Sequence, residues 1–532
     1  MPSPISSARR PSTLVLRLGV VAALAGLLAA CGTSVSGTGT VQPSASAGAP
    51  SSSGSLPAQT PAQFVSCDNL LNLKGIPLPK DRKDKITFSC ARVDVPLDYS
   101  NASGKTIPLE LIKVHSSDHT SSVGSLLVNP GGPGASGIEL AAGLSTEMSM
   151  KVLNKFDLIG FDPRGVGLSS AISCISNKQK DVLNGTNNDV RTADGFARAK
   201  ALAADVAQRC SNVYGADLAQ YNTVNTARDM DRIRQAVGDD QMNYLGFSYG
   251  TELGAQYAHL FPNTIRVAVL DGAVNPLTDE ITSFANQLGG FEGAFDQFAA
   301  DCATRASCRL LGDPRQVVND LVKQADSSPM KSSKQGESRT ASGAIVLTGV
   351  LEALYSKSEW RDLESALALG QQGDAKGLFA LADRYNQRYS DGTYSNISDA
   401  NTTIGCNDSK PGPTDETIRS TAATWAAKYP MFGTWAAQSL FSCQSWQPVR
   451  TPPPLPTAPT AHKVLVIGNL HDPATPYQGA KDLAKTMGNT ELLSWDGEGH
   501  TSYLQGSSCV DNYVNDYLIS GTLPPANTTC PK

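Results

Sequence analysis

Apolar residues in this chain follow two rhythms, and the switch between them divides the sequence. Short uninterrupted runs, 125–129 (SLLVN) and 156–162 (FDLIGFD), stop at Gly- and Pro-rich turns. Runs of that length, bounded by turn residues, predict strands buried on both faces, as in a parallel sheet. The stretches 91–97 and 107–114 predict an opening pair of strands, and 242–247, 265–271, 463–468 and 491–495 continue the series. Between these runs the period lengthens. Met230, Ile233 and Val237 share one helical face of 226–237, and 250–261 and 509–519 predict further helices. Strands alternating with helices imply an α/β class, a mostly parallel sheet covered on both faces.

From 271 to 463 the pattern changes. The segments 284–302, 315–324, 345–355 and 360–385 carry helical periodicity, with no convincing strand among them. They predict a largely helical inserted lid domain, 276–460, dividing a core of 64–275 and 461–532. The Pro-rich stretch 448–459 reads as a stiff return to the sheet. A chain of 532 residues exceeds one ordinary compact domain, so a core with an added unit is expected on size alone. No internal repeat is present.

The N-terminus obeys neither rhythm. Arg9, Arg10 and Arg17 flank an apolar run, 18–30, too short for a comfortable membrane span. It ends in Leu28-Ala29-Ala30-Cys31, and small residues before a cut site predict a signal peptide over 1–30. Leu-Ala-Ala-Cys resembles the bacterial lipobox, in which the Cys is acylated and becomes the mature N-terminus. An ordinary signal peptide with a chance Cys is the alternative. The Arg-Arg pair suggests twin-arginine export, but the residues after it fit that motif poorly. Residues 31–63, dominated by Ser, Gly, Ala, Thr and Pro, predict a flexible tether. The expectation is a lipoprotein on the outer face of the cell membrane, held by a lipid on Cys31.

Eleven cysteines minus Cys31 leaves ten: Cys67, Cys90, Cys174, Cys210, Cys302, Cys308, Cys406, Cys443, Cys509 and Cys530. In an exported chain an even set reads as disulfides. Pairing neighbours is the simplest scheme, although the sequence leaves connectivity open. Composition narrows the function further. Hydrophobic residues at 40% and charged residues at 17% describe a globular chain, and a net charge of −5 gives no footprint for nucleic acid. Walker loops, HExxH helices, CxxC pairs and EF-hand loops do not occur. Six histidines make a multi-His metal site improbable, so neither metal nor cofactor is expected.

Gly246-Phe247-Ser248-Tyr249-Gly250 is a G-x-S-x-G sequence between a predicted strand and a predicted helix. Such an elbow holds its Ser in a strained turn at a helix N-terminus, and its glycines let strand and helix pass closely. This context predicts the α/β-hydrolase fold with Ser248 as nucleophile. A serine hydroxyl needs a base held by an acid, and in this fold the chain order is Ser, acid, His. After Ser248 the histidines are His259, His462, His471 and His500. His259 falls within the helix after the nucleophile, His462 opens a strand, and His471 directly precedes the candidate acid. His500 follows the 491–495 strand in a Gly-rich loop and is the one placed to reach Ser248. Asp472, after the 463–468 strand, is the candidate acid. Asp496 is its rival on the strand that already supplies the His, and a turn or N-cap role is the plain alternative for Asp472. Two backbone N–H groups must meet the oxyanion. Tyr249 is expected to supply one and Gly132 the other, preferred over Gly131 in Asn129-Pro130-Gly131-Gly132-Pro133-Gly134.

Four ordered motifs carry a resemblance: NPGGPGASG at 129–137, FDPRGVG at 161–167, GFSYGT at 246–251 and HDPATPY at 471–477. With the cysteine placement they resemble the actinobacterial tripeptidyl aminopeptidase family, and most closely the cell-envelope serine proteases of mycobacteria, from about residue 64 to the end. The resemblance implies a lid over the cleft, cleavage near peptide N-termini, and Ser248, Asp472 and His500 at the catalytic positions. Relatives with the prolyl-iminopeptidase pattern begin the Gly-rich loop with His where Asn129 stands here, a departure that bears on proline specificity. An enzyme taking short N-terminal pieces needs an anion for the substrate ammonium. Glu252 and Asp408 are candidates, against a helix-dipole partner and a surface turn as their plain readings. Thr475 is a candidate support for Asp472. Peptide or protein is the expected substrate. A carboxylesterase or lipase using the same triad is the alternative, and a non-catalytic envelope binding protein the third reading.

Overall fold

A computed structural model describes residues 58–67, 76–119 and 122–532. The predicted signal peptide, Cys31 and most of the tether lie outside the described residues. Residues 58–63, read as the tether's end, run against the domain, where the Ala62 N–H donates to Ala236 O at 2.8 Å. No helix among the described residues is long and apolar enough to cross a membrane.

Ten strands form one sheet: β1 (Val65–Ser66), β2 (Ile86–Pro96), β3 (Thr106–Ser116), β4 (Gly124–Asn129), β5 (Phe156–Phe161), β6 (Met242–Phe247), β7 (Ile265–Asp271), β8 (Val464–His471), β9 (Thr490–Glu498) and β10 (Thr529–Cys530). Their order is β1-β2-β3-β5-β4-β6-β7-β8-β9-β10. β1, β2, β3 and β5 pair antiparallel in turn, and every pairing from β5 through β4 to β10 is parallel. The uninterrupted apolar runs occupy the middle: every residue of β6 is buried. At the edge, exposed Arg92 and Asp94 alternate with buried Val93 and Val95 in β2. That contrast follows from coverage of both faces in the centre and one face outside. The chain leaves β4 toward β5 on one side, then crosses back to β6 on the other. The crevice beyond the carboxyl ends of β4 and β6 is therefore the topological switch point, where open α/β sheets bind ligands.

Between β7 and β8 the chain forms the helices Glu280–Ala303, Pro314–Ser327, Gly343–Leu354, Trp360–Gln371, Lys376–Tyr385, Ile397–Asp408 and Asp415–Lys428. All but Ile397–Asp408 share a hydrophobic cluster separate from the two that line the sheet faces; Ala400 and Ile404 of that helix pack instead with Val166 and Tyr249. The run 360–385, read as one helix, is two, because Gly373 adopts φ +81° between them. A helix the periodicity did not reveal, Ala193–Tyr214, lies before β6, yet its Phe196 and Ala199 join the lid's cluster. Alanines and a cysteine supply most of its buried face, so its apolar rhythm is faint. The Phe196 ring meets Phe441 edge to face at 4.8 Å.

The ten cysteines pair as sequence neighbours: Cys67–Cys90, Cys174–Cys210, Cys302–Cys308, Cys406–Cys443 and Cys509–Cys530. The simplest scheme is the one adopted.

Candidate active site

Ser248 stands between β6 and the helix Tyr249–Leu260 with φ +55° and ψ −128°, a conformation L-residues avoid. Its neighbours hold it there. The Ser248 N–H donates to Asp271 O at 2.9 Å, and Ser248 O accepts from Thr251 N at 2.8 Å and Thr251 Oγ1 at 2.7 Å. A Cβ on Gly246 would lie 2.4 Å from Gly250 O, which is why the elbow tolerates no side chain there.

The loop after β4 comes up beside the elbow. A Cβ on Gly131 would lie 2.8 Å from the Tyr249 nitrogen and 3.0 Å from Ser248 Cβ, so backbone passes directly over the nucleophile. The Gly131 N–H is taken, donating to Asn129 Oδ1 at 2.9 Å. The Gly132 N–H has no hydrogen bond among the described residues, and Tyr249 heads its helix, where N–H groups lack intrahelical partners. Those two N–H groups can meet an oxyanion. The preference for Gly132 over Gly131 thus has a physical basis in the Asn129 side chain.

Asp472 and His500 are both buried. His500 Nδ1 lies 2.9 Å from each carboxylate oxygen of Asp472. Asp472 also accepts from the backbone N–H groups of Ala474, Thr475 and Thr501 at 2.9, 2.8 and 3.0 Å, and from Thr475 Oγ1 at 3.1 Å. These donors fix the carboxylate, which fixes the imidazole. His500 Nε2 is buried with no hydrogen-bond partner among the described residues. In a ligand-free site the base–nucleophile bond is often long and tightens when substrate is bound.

Asp271 joins the two halves. Its backbone oxygen holds Ser248, while its carboxylate accepts from Ser502 and Tyr503 N–H at 3.0 and 2.8 Å, just past His500. Burial pushes this carboxyl up to about 6. A Cβ on its neighbour Gly272 would sit 3.2 Å from His500 Cε1.

The other histidines are elsewhere. His259 Nδ1 contacts Thr457 O at 2.8 Å, and His462 is exposed just before β8 rather than within it. His471 Nε2 pairs with Asp496 Oδ1 at 3.0 Å, so the rival acid is engaged with a different imidazole.

A cavity of about 390 Å³ opens at Ser248, and Gly132, Tyr249, Glu252 and Asp408 line it. Both carboxylates lie deep in the protein with part of each side chain open to the cavity. Burial pushes Glu252 up to about 7 and Asp408 well above the usual carboxylate range, with the Glu252 charge adding to the latter. Asp408 caps the helix Thr223–Val237, accepting from Thr223 N at 3.1 and 3.2 Å and Oγ1 at 2.6 Å. Thr223 Oγ1 in turn bonds the Tyr249 hydroxyl. Asp408 is therefore no surface turn.

A family model described as the alpha/beta hydrolase fold matches residues 124–507. The chain belongs to the α/β-hydrolase family. Among the relatives of this α/β-hydrolase, serine protease Hip1 of Mycobacterium tuberculosis is 38% identical over 456 residues, covering 83% of this chain and 87% of that protein. Carboxylesterase B of the same species is 37% identical over 467 residues, 85% of this chain and 88% of its own length. A tripeptidyl aminopeptidase of Streptomyces lividans is 31% identical over 459 residues, 83% of each. The resemblance carried by the four motifs is borne out, and the protein is a serine hydrolase.

Three contributors to the site escaped the sequence reading. Tyr355, ending the lid helix Gly343–Leu354, accepts the His500 N–H at 2.7 Å through its carbonyl and packs its ring edge to face on the imidazole at 5.6 Å. Asn469 Nδ2 donates to Gly499 O at 2.6 Å, tying the acid's loop to the base's loop. Thr223 orients Asp408. None has a motif, although Asn469 lies only three residues before Asp472, where such a brace was to be sought.

Proposed function

We propose that the protein is an exported, lipid-anchored peptidase that cleaves near free N-termini, in the manner of a tripeptidyl aminopeptidase, through an acyl-enzyme. The observation that carries the reading is the pair Glu252 and Asp408 in the cavity of Ser248. Two carboxylates raised by burial are poorly stabilised on their own, and a substrate ammonium between them favours their charged forms. An ester with no cationic end gains nothing from that arrangement. The names of the relatives, a serine protease and a tripeptidyl aminopeptidase, support the same choice.

In this reading Ser248 attacks the scissile carbonyl while His500 takes its proton. Asp472 holds the imidazole in the right tautomer and stabilises its charge. The Tyr249 and Gly132 N–H groups meet the oxyanion as it forms. His500 then protonates the leaving amine, and water attacks the acyl-enzyme with the same imidazole as base. The lipobox-like Leu28-Ala29-Ala30-Cys31 supports a location on the outer face of the membrane, and five disulfides suit an oxidising compartment.

The second reading, a carboxylesterase, is favoured by the 37% identity to carboxylesterase B. Matched peptides with free and acetylated N-termini separate the two. The aminopeptidase reading expects kcat/KM at least ~10-fold higher on the free amine, since losing one charge-assisted hydrogen bond costs about 1.5–3 kcal/mol. Equal rates on both, with esters far faster, would select the esterase. Ser248→Ala should abolish turnover on either and prevent labelling by a fluorophosphonate.

A further inference from the structure

At the opposite edge of the sheet from Ser248, near the start of β5, three side chains converge that the hydrolytic chemistry does not use. We infer that His115, His119 and Asp157 form a binding site for one divalent first-row transition ion, with zinc as the reference ion. Each residue offers one ligand atom, and these atoms all lie within 4.8 Å of one another. This departs from the expectation set by the shortage of histidines: two of the six stand together here.

The sheet register builds the site. In the antiparallel β3–β5 ladder Val114 faces Leu158, so the next step sets His115 opposite Asp157. The chain then turns, with the His119 N–H donating to Ser116 O at 3.1 Å, and brings the second imidazole back over the first, ring centres 5.4 Å apart. His115 Nδ1 lies 2.7 Å from Asp157 Oδ1, and His119 Nδ1 lies 3.5 Å from the same oxygen. Ligand atoms about 2.0–2.2 Å from a tetrahedral zinc are roughly 3.3–3.6 Å apart, so small ring rotations satisfy the geometry. Two imidazoles with a carboxylate is a donor set suited to zinc, nickel or copper rather than to calcium or magnesium.

The His119 side chain is 9% exposed, so its imidazole is held beside Asp157 rather than swinging in solvent. Lys113 is the nearby cation, 3.9 Å from Asp157 Oδ2, and it also rests over the Phe64 ring. It faces the other carboxylate oxygen, leaving Oδ1 for the ion. The His471–Asp496 pair, half exposed and with one imidazole, is an internal control.

The test uses the full chain stripped with a chelator and titrated with zinc chloride, read by calorimetry and by metal analysis after desalting. One ion per chain is expected, with a raised midpoint of thermal unfolding. His119→Ala and Asp157→Asn should each weaken binding by roughly 10- to 100-fold or more, because even outer-shell partners of a metal site cost that much; His471→Ala should not. In the unmutated protein, zinc should protect His115 and His119 from diethyl pyrocarbonate while His259 and His462 remain reactive. Absence of zinc, nickel and copper uptake by the stripped chain would overturn the inference. So would uptake unchanged in His119→Ala, or zinc that shields His471 in place of His115 and His119.

Discussion

The ends of β8 and β9 carry two histidine–aspartate pairs that differ less in distance than in surroundings. Each strand end contributes one partner to each pair: His471 and Asp472 from β8, Asp496 and His500 from β9 and its loop. His471–Asp496 closes to 3.0 Å and His500–Asp472 to 2.9 Å. The first pair has 39% and 45% of its side chains exposed, the second 1% and 0%. Water competes for every polar atom of the exposed pair, so it is worth about 0–1 kcal/mol. In the buried pair three backbone N–H groups and a threonine hydroxyl direct the carboxylate, and the imidazole has one orientation open to it. Proximity makes an ion pair; enclosure and direction make a base.

The sharpest way to break this contrast is Asp472→Asn. It should lower kcat by roughly 10⁴-fold in a protein that still folds, since an amide favours the wrong imidazole tautomer and cannot stabilise its charge. Steady-state kinetics on an unblocked peptide decide it, and a loss under tenfold would mean the buried pair is no more than a surface-like contact. Next is Asn469→Ala, which removes the donor to Gly499 O and leaves a buried carbonyl unpaired. A stability loss of about 1–3 kcal/mol in denaturant unfolding is expected, with slower turnover as the base's loop loosens.

The third test adds a carboxylate that has burial without direction. Glu252 is pushed up to about 7 against an ordinary value of 4.5, so the folded protein keeps a proton there that the unfolded chain has released. That term weakens stability as pH rises through the window from about 4.5 to 7. Glu252→Gln removes it, so its melting temperature relative to the parent should climb between pH 5 and 8. A flat difference would show that the carboxylate is already ionised at low pH. The same substitution should raise KM for free-amine peptides and leave acetylated ones unchanged. The smallest effect belongs to Asp496→Asn: under about 1 kcal/mol in stability and less than twofold in kcat.

How much of this was legible in the sequence follows from what each element depends on. The β6 elbow, the Gly-rich loop and the Asp472 and His500 loops are set by backbone requirements, positive φ and close approach, that few residue types meet. They therefore leave motifs. Predicted strands agree with β2 through β9 to within a few residues at most ends, because uninterrupted apolar runs between Gly and Pro have one economical solution in a covered sheet. The helix Ala193–Tyr214 stayed hidden because alanine buries without marking a period. Tyr355 stayed hidden for another reason: it serves His500 through a backbone carbonyl and a ring edge, which many sequences can provide. Glu252 and Asp408 were visible as acids, but their shared cavity depends on how the lid settles, a matter of tertiary packing.

The five disulfides close in succession along the chain, none overlapping another, over separations of 23, 36, 6, 37 and 21 residues. A polypeptide oxidised while it threads through a translocation channel can complete each bridge before the next pair of thiols emerges, so no scrambled pairing needs to be undone. The same arrangement places no disulfide between the lid and the sheet, which are joined covalently only where the chain passes from one to the other. Their registry, including the seam where Tyr355 meets His500, rests on packing, hydrogen bonds and ion pairs such as Lys180–Asp399 and Lys200–Asp415, and a thiol reductant acting on the enzyme would loosen each part from within before it parted one from the other.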